Sequence, residues 1–315
     1  MRSLVLLALV AASGCAGANS TATPRTPSAA LSADALMLHV SRLAADSMRG
    51  RLVGTPENAK ARAYVANQLS AAGLQPVGGS FEHPIEVRRD TVVRRGINVV
   101  AMARGRVTPE RYIVVTAHFD HLGVRNGEIY NGADDNASGT GALIEIARWF
   151  AANPPSNSIL FVGLDAEEGG LVGARGFVAS PPVPRGSIVL NVNMDMVGRN
   201  TRNELYAAGT SHYPFLKPYL DSVTARSGIT LRLGHDDPNG PAADNWTSQS
   251  DHAAFHEAGI PFVYFGVEDH PDYHRPTDDA ERLMPQFYAG AATTVLDAIR
   301  SFDRNLGAIA AARRQ

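Results

Sequence analysis

The stretch Val114-Val115-Thr116-Ala117-His118-Phe119-Asp120-His121-Leu122-Gly123 decides how this chain is read. An apolar, β-branched run from Tyr112 to Thr116 leads into it. Such a run, bounded by polar residues, predicts a buried strand. His118 and Asp120 then emerge at the strand's C-terminal edge, where open α/β sheets place their sites. An imidazole followed two residues on by a carboxylate can grip a metal, the His as ligand and the Asp orienting its ring. A lone His-x-Asp at a strand end is more often structural, so the weight rests on four stretches further along.

Working outward, the pattern alternates. Upstream, apolar spacing predicts a helix over 34–45, and Thr55-Pro56-Glu57 opens another that runs to Ala72 and stops at Gly73. Arg49-Gly50-Arg51 between them reads as exposed loop. Strands are expected over 97–103 and 111–116, then a helix over 138–152 and a continuous apolar strand over 158–164. A short helix is expected over 171–179, with strands at 188–194 and 205–208. Next come a helix over 215–227, a strand over 230–233, a helix over 251–258, a strand over 261–265 and a last helix over 284–305. Strands alternating with helices predict one three-layer α/β/α domain over 34–310 with a mostly parallel mixed central sheet.

Each predicted strand end carries candidate ligands. After His118 comes Gly132-Ala133-Asp134-Asp135-Asn136-Ala137-Ser138-Gly139, and after the 158–164 strand comes Asp165-Ala166-Glu167-Glu168-Gly169-Gly170. Asn193-Met194-Asp195-Met196 closes the 188–194 strand, and Asp272-Tyr273-His274-Arg275-Pro276 lies near the C-terminus. Taken singly, acidic pairs are usually solvated. Together, a parallel sheet would gather these ends on one edge. Two His with several carboxylates and no thiol suit a pair of divalent ions, zinc favoured.

This ordered set, with Ser250-Asp251-His252 and Gly259-Ile260-Pro261, resembles the co-catalytic zinc aminopeptidases, the family of bacterial leucyl aminopeptidases, glutamate carboxypeptidases and glutaminyl cyclases. The resemblance covers roughly residues 45–300. It implies two Zn2+ per chain, with Asp135 bridging both, His118 and Asp195 completing one site, and Glu168 and His274 the other. It implies Glu167 as general base, Asp120 as the partner that orients His118, Tyr273 as a candidate donor to the oxyanion, and a cis peptide between Asp135 and Asn136. Two such zinc ions can activate a water and polarise a scissile carbonyl. The expected activity is an aminopeptidase on peptide substrates, with a pocket drawn from His252, His256, Trp246, Phe265 and Tyr264. Carboxypeptidase action, with a clamp from Arg199, Arg202 or Arg275, glutaminyl cyclisation and a non-catalytic binding ectodomain are the alternatives. The segment between Val77 and Ile97 is too short for the protease-associated insert of some relatives.

The N-terminus reads differently. Residues 1–15 combine Arg2, an apolar core from Leu4 to Ala12 and Ala12-Ser13-Gly14-Cys15, which resembles a bacterial lipoprotein signal with a lipid-accepting cysteine. Nine apolar residues are too few to span a bilayer. Residues 16–33 read as a flexible tether. The expectation is an exported protein, periplasmic or at the cell surface, anchored to a membrane through Cys15. With 29 basic and 31 acidic residues, a net charge of −2 gives no field for nucleic acid. Nothing in the sequence implies an obligate protein partner.

Overall fold

The structure, a computed structural model, describes residues 30–89 and 91–313. The signal and lipidation reading at residues 1–15, and most of the tether, lie outside the described residues. Among those described, no helix is long and apolar enough to cross a membrane.

Helix α1 (Ala33–Leu43) starts where Ser32 accepts the N–H of Ala35, and α2 (Pro56–Ala71) where Thr55 accepts that of Asn58. A side-chain oxygen there satisfies an amide that the helix itself cannot. Past α2, Gly73 turns left-handed at φ 88° and the Leu74 N–H returns to Leu69 O, a helix end that glycine makes without strain. The chain then forms β1 (Gln75–Pro76), β2 (Glu82–Arg89), β3 (Val92–Ala103), β4 (Thr108–His118), β5 (Gly123–Arg125) and β6 (Glu128–Tyr130). It continues as α3 (Gly139–Ala152), β7 (Asn157–Leu164), α4 (Val172–Ala179), β8 (Ile188–Met194) and β9 (Glu204–Ala208). The last elements are α5 (Lys217–Thr224), β10 (Thr230–Leu233), α6 (His252–Glu257), β11 (Phe262–Gly266) and α7 (Pro285–Ala312).

The main sheet runs β1-β3-β7-β4-β8-β11-β9-β10, with β2 paired to β3. Its four central strands, β7, β4, β8 and β11, are mutually parallel, while β3 and β9 join them antiparallel. From β4 the chain steps to β7 on one side and then to β8 on the other. The loops after these strands therefore diverge around one crevice at the C-terminal rim. Along β4, Ile113, Val115 and Ala117 join the core under α1, α2, α3 and α7, while Val114 joins the opposite core under α4 and α6. The same alternation holds along β7, with Ile159 and Phe161 on one face and Leu160 and Val162 on the other. Burial on both faces is why these strands read as continuous apolar runs.

Three readings change. The strand expected from Ile97 begins at Val92, and Glu82–Arg89 pairs with it in register from Glu82↔Val99 to Arg89↔Val92. This hairpin carries Glu82, Glu86, Arg94 and Arg95, so no apolar run marked it. Helix α7 extends to Ala312 rather than stopping at Asn305. Of Arg49-Gly50-Arg51, expected as exposed loop, Arg49 is exposed but Gly50 and Arg51 are buried. The stretch belongs to a 3-10 turn over Asp46–Arg51, and Arg51 is 0% exposed. A Cβ on Gly50, at φ 66°, would meet Tyr130 O at 2.4 Å, so only glycine lets the turn dock there.

Helix α7 is tied to the start of β7 by Asp303, whose carboxylate accepts the N–H groups of Ser156 and Asn157, each at 2.8 Å. Asp303→Ala is expected to strand these amides and lower stability by about 2–4 kcal/mol in urea denaturation.

Candidate metal centre

The rim brings together the side chains that the sequence placed at separate strand ends. His118 closes β4 and is 1% exposed. Its Nε2 lies 3.4 Å from Asp135 Oδ1 and 3.4 Å from Asp195 Oδ2. Across Asp135, the other oxygen lies 3.1 Å from His274 Nε2, which is in turn 3.5 Å from Glu168 Oε2. Ligand atoms of a tetrahedral zinc, each at about 2.0–2.1 Å from the ion, stand about 3.3 Å apart. In each trio the two edges that meet at the histidine are about that long, and the trios share one carboxylate. His118 Nε2 and Asp195 Oδ1 are buried without any hydrogen-bond partner. Buried polar atoms are rarely left so unless something else engages them. The donor set of imidazoles and carboxylates therefore fits a pair of zinc ions.

The surrounding chain holds these loops rigidly. The Asp135–Asn136 peptide is cis. The Asp278 carboxylate accepts the N–H groups of Asp134 and Asp135, and Asn136 donates to Met194 O. Arg51 donates to the carbonyls of Leu43, Phe119, Asn131 and Gly132. One guanidinium thus fixes the stretch after His118 and the one before Asp135. Asp165 accepts from Asn58 Nδ2 and Ile97 N and anchors the Glu167–Glu168 loop. Asp120 sits beside His118 as expected, but Nδ1 is 3.2 Å from its backbone carbonyl and 3.7 Å from its carboxylate. The carboxylate instead accepts the N–H of Glu167 at 3.0 Å.

Sequence reasoning passed over His121. It is fully buried, with Nδ1 2.7 Å from Glu168 Oε1 and 3.8 Å from Asp135 Oδ2. Burial pushes its pKa down to about 3, so it is a neutral imidazole beside the acids. With Asp135 and Glu168 it makes a further possible ligand trio. Its one signal was the repeat of His in His118-Phe119-Asp120-His121.

The electrostatics report crowded negative charge. Burial, with Asp251, Asp195 and Asp120 nearby, raises the Glu167 carboxyl well above its ordinary range despite the opposing pull of His118. Burial likewise pushes Glu168 up and, with Asp120 and Asp195, carries Asp251 to about 8. Burial disfavours a charged His118, yet Asp195 and Glu167 hold its pKa well above that of free imidazole. Burial lowers Arg51 to about 10 against the pull of Asp135 and Asp120, so it stays a cation at neutral pH.

A cavity of about 410 Å3 opens onto Asp135, Glu167, Glu168, Asp195 and His274. Its other walls include Leu171, Met196, Trp246, Tyr264, Val267 and Tyr273, with Asp269 at the exposed side. Two of the expected pocket residues, Trp246 and Tyr264, are here. His252 instead stacks behind Tyr264 at 4.5 Å, His256 pairs with Tyr213, and Phe265 is buried in the core. Tyr273 stacks on His274 at 4.0 Å, and burial among carboxylates raises its pKa, which keeps its hydroxyl protonated.

Residues 98–299 match the model of peptidase family M28. The chain belongs to peptidase family M28. Among family relatives, an aminopeptidase of Bacillus subtilis, YwaD, is 31% identical over 59% of this chain and 40% of its own length. An aminopeptidase of Pseudomonas aeruginosa is 33% identical over 54% of this chain and 31% of its own. The chain thus spans less than half the length of these relatives. In fold it is similar to BSAP, a zinc aminopeptidase of Bacillus subtilis, with a TM-score of 0.69 and 18% identity over 87% of this chain and 95% of that one. It is also similar to a Bacteroides thetaiotaomicron glutaminyl cyclase, with a TM-score of 0.67 and 20% identity over 86% and 98% of the two chains.

Arg51→Met keeps much of the stem and removes every donor. It is expected to cost about 3–5 kcal/mol in denaturant unfolding and to weaken zinc binding in chelator competition. Arg51→Lys keeps the charge without the planar fork and is expected to recover only part of both losses.

Proposed function

We propose that this protein is a zinc-dependent aminopeptidase that holds two zinc ions. The observation that carries the reading is the pair of ligand trios sharing Asp135, set beside a glutamate that belongs to neither and a cavity with apolar walls. In this reading His118, Asp135 and Asp195 hold one ion, and Asp135, Glu168 and His274 the other. Zinc there supplies the Lewis acidity that makes water a nucleophile at neutral pH.

Glu167 supplies the proton traffic. It lines the cavity, and its backbone is pinned by Asp120. A carboxylate whose affinity for protons is raised by burial is suited to take a proton from water and pass it to the leaving amine. The Tyr273 hydroxyl, on the same cavity wall, can donate to the oxygen that gains charge. Leu171, Met196, Trp246 and Val267 offer the first side chain of a peptide an apolar surface, and Asp269 offers a carboxylate to its free amine. The arginines considered for a carboxypeptidase clamp lie elsewhere. Arg199 is tied to Asp272, Arg202 to Glu204 and Glu268, and none of these or Arg275 lines the cavity.

Peptides are the proposed substrates. The proposed location is outside the cytoplasm, anchored through a lipid on Cys15, supported by the composition of residues 1–15.

Glu167→Gln is expected to lower kcat by about two to four orders of magnitude while zinc stays near two per chain by elemental analysis. Loss of metal in that variant would reverse the roles of Glu167 and Glu168. Purified protein should cleave amino-acid p-nitroanilides and unblocked peptides but not N-blocked ones; cleavage of blocked peptides defeats the aminopeptidase reading. Cys15→Ala is expected to move the protein from the membrane to the soluble fraction of cells, and unchanged membrane association would rule out the lipid.

A further inference from the structure

A second and larger concavity adjoins the metal centre. It is a groove of about 890 Å3 between the β2–β3 hairpin and helices α4 and α6. Gly170 belongs to the walls of both the groove and the metal-centre cavity. The loop carrying Glu167 and Glu168 is therefore a partition between them, and at Gly169-Gly170 that partition has no side chain.

The groove presents one arginine, Arg94, where it meets this partition. Its two acids are already engaged, Glu257 by Arg175 at 2.6 Å and Glu86 by Arg95 at 2.9 Å. Arg94 and Arg185 line the same groove, and neither has a carboxylate partner among the described residues. Arg94 stands opposite Val87 in the hairpin. Its Nη1 would lie 3.5 Å from a Cβ on Gly170 and 3.6 Å from one on Gly169. A guanidinium with no carboxylate partner among the described residues thus rests against the bare part of the wall.

We propose that Arg94 is a specificity-determining residue that binds a carboxylate on the part of the peptide downstream of the scissile bond. The inference rests on the aminopeptidase reading. A peptide whose first side chain fills the cavity must carry its remaining residues out over the rim. The glycine pair is a low point in that rim, and an extended chain advances about 3.3 Å per residue, so the first few residues past the cut come within reach of the groove. A planar guanidinium pairs with a carboxylate through two parallel hydrogen bonds. That carboxylate is either the C-terminus of a di- or tripeptide or an acidic side chain just after the first residue.

Two matched substrate pairs separate these sources. Leu-Gly-Gly against its C-terminal amide reads the terminal carboxylate. Leu-Glu-Gly-amide against Leu-Gln-Gly-amide reads the side chain. In the zinc-loaded protein, at least one pair should favour the carboxylate about five- to tenfold in kcat/KM, chiefly through KM, the net range of one solvent-exposed hydrogen-bonded contact. Arg94→Ala should bring that ratio close to one, and Arg94→Lys should leave it between. Ratios near one for both pairs in the unaltered protein, or a ratio that survives Arg94→Ala, overturn the proposal. The same ratios are to be read as dissociation constants by calorimetry on zinc-loaded Glu167→Gln, with and without Arg94→Ala. Absence of all hydrolysis by the unaltered protein would then defeat the aminopeptidase reading, while the binding ratios still decide for or against Arg94.

Discussion

Buried negative charge at one rim of the sheet is the constraint on which the site depends. Asp120, Asp135 and Asp195 are buried around His118, with Glu167, Glu168 and the fully buried Asp251 close by. Removing an unpaired carboxylate from water costs several kcal/mol even after the protein relaxes. Among the described residues Arg51 is the fully buried arginine of this cluster, and its four hydrogen bonds go to carbonyls rather than to acids. Its field offsets part of the repulsion without neutralising any one ligand. The remainder favours divalent cations at the point where the unpaired ligand atoms converge.

The backbone around that point is made to serve it. Arg51 consumes the carbonyls that lead into the bridging loop, and Asp278 consumes amides within it, so the loop is held from outside itself. Ala166, Met196 and His274 all hold positive φ, at 59°, 56° and 53°. Each adjoins Glu167 or Asp195, or is itself at the site. Left-handed backbone in residues with a Cβ costs about 1–3 kcal/mol and survives where the surroundings over-determine it. Strand β4 sets His118, and these turns set the acids facing it.

Legibility in the sequence depended on range. The parallel core strands were readable because burial on both faces leaves nothing but apolar residues, as in Ile159–Val162. The expected site residues lie where strands end, and the structure brings them to one rim. The hairpin over Glu82–Arg89 was hidden because its charged faces carry no hydrophobic period. Arg51 was hidden for a different reason. Between glycine and leucine it looks solvated, and its partners Asn131 and Gly132 lie 80 and 81 residues away. Asp278, whose amide partners are 144 and 143 residues distant, is invisible for the same reason. The candidate ligands sit in motifs, whereas side chains that brace are identified only by the carbonyl or amide they meet.

The loop Asp165–Leu171 shows how one short segment carries several demands at once. Asp165 faces back to Asn58 and Ile97, Glu168 faces the metal trio with His274, and Glu167 lines the cavity. Consecutive carboxylates can take opposite tasks because Ala166 turns left-handed just before them and Gly170 and Leu171 just after. That geometry leaves Glu167 out of the ligand trios while its N–H stays fixed to Asp120. The turn also needs a residue free of Cβ strain at φ 101°, and glycine at 170 meets that need. The same choice thins the wall toward the hairpin groove. A backbone requirement of the loop that carries Glu167 therefore opens the side of the site that faces Arg94. One turn of chain thus sets both the position of Glu167 in the cavity and the thinness of the wall beside it.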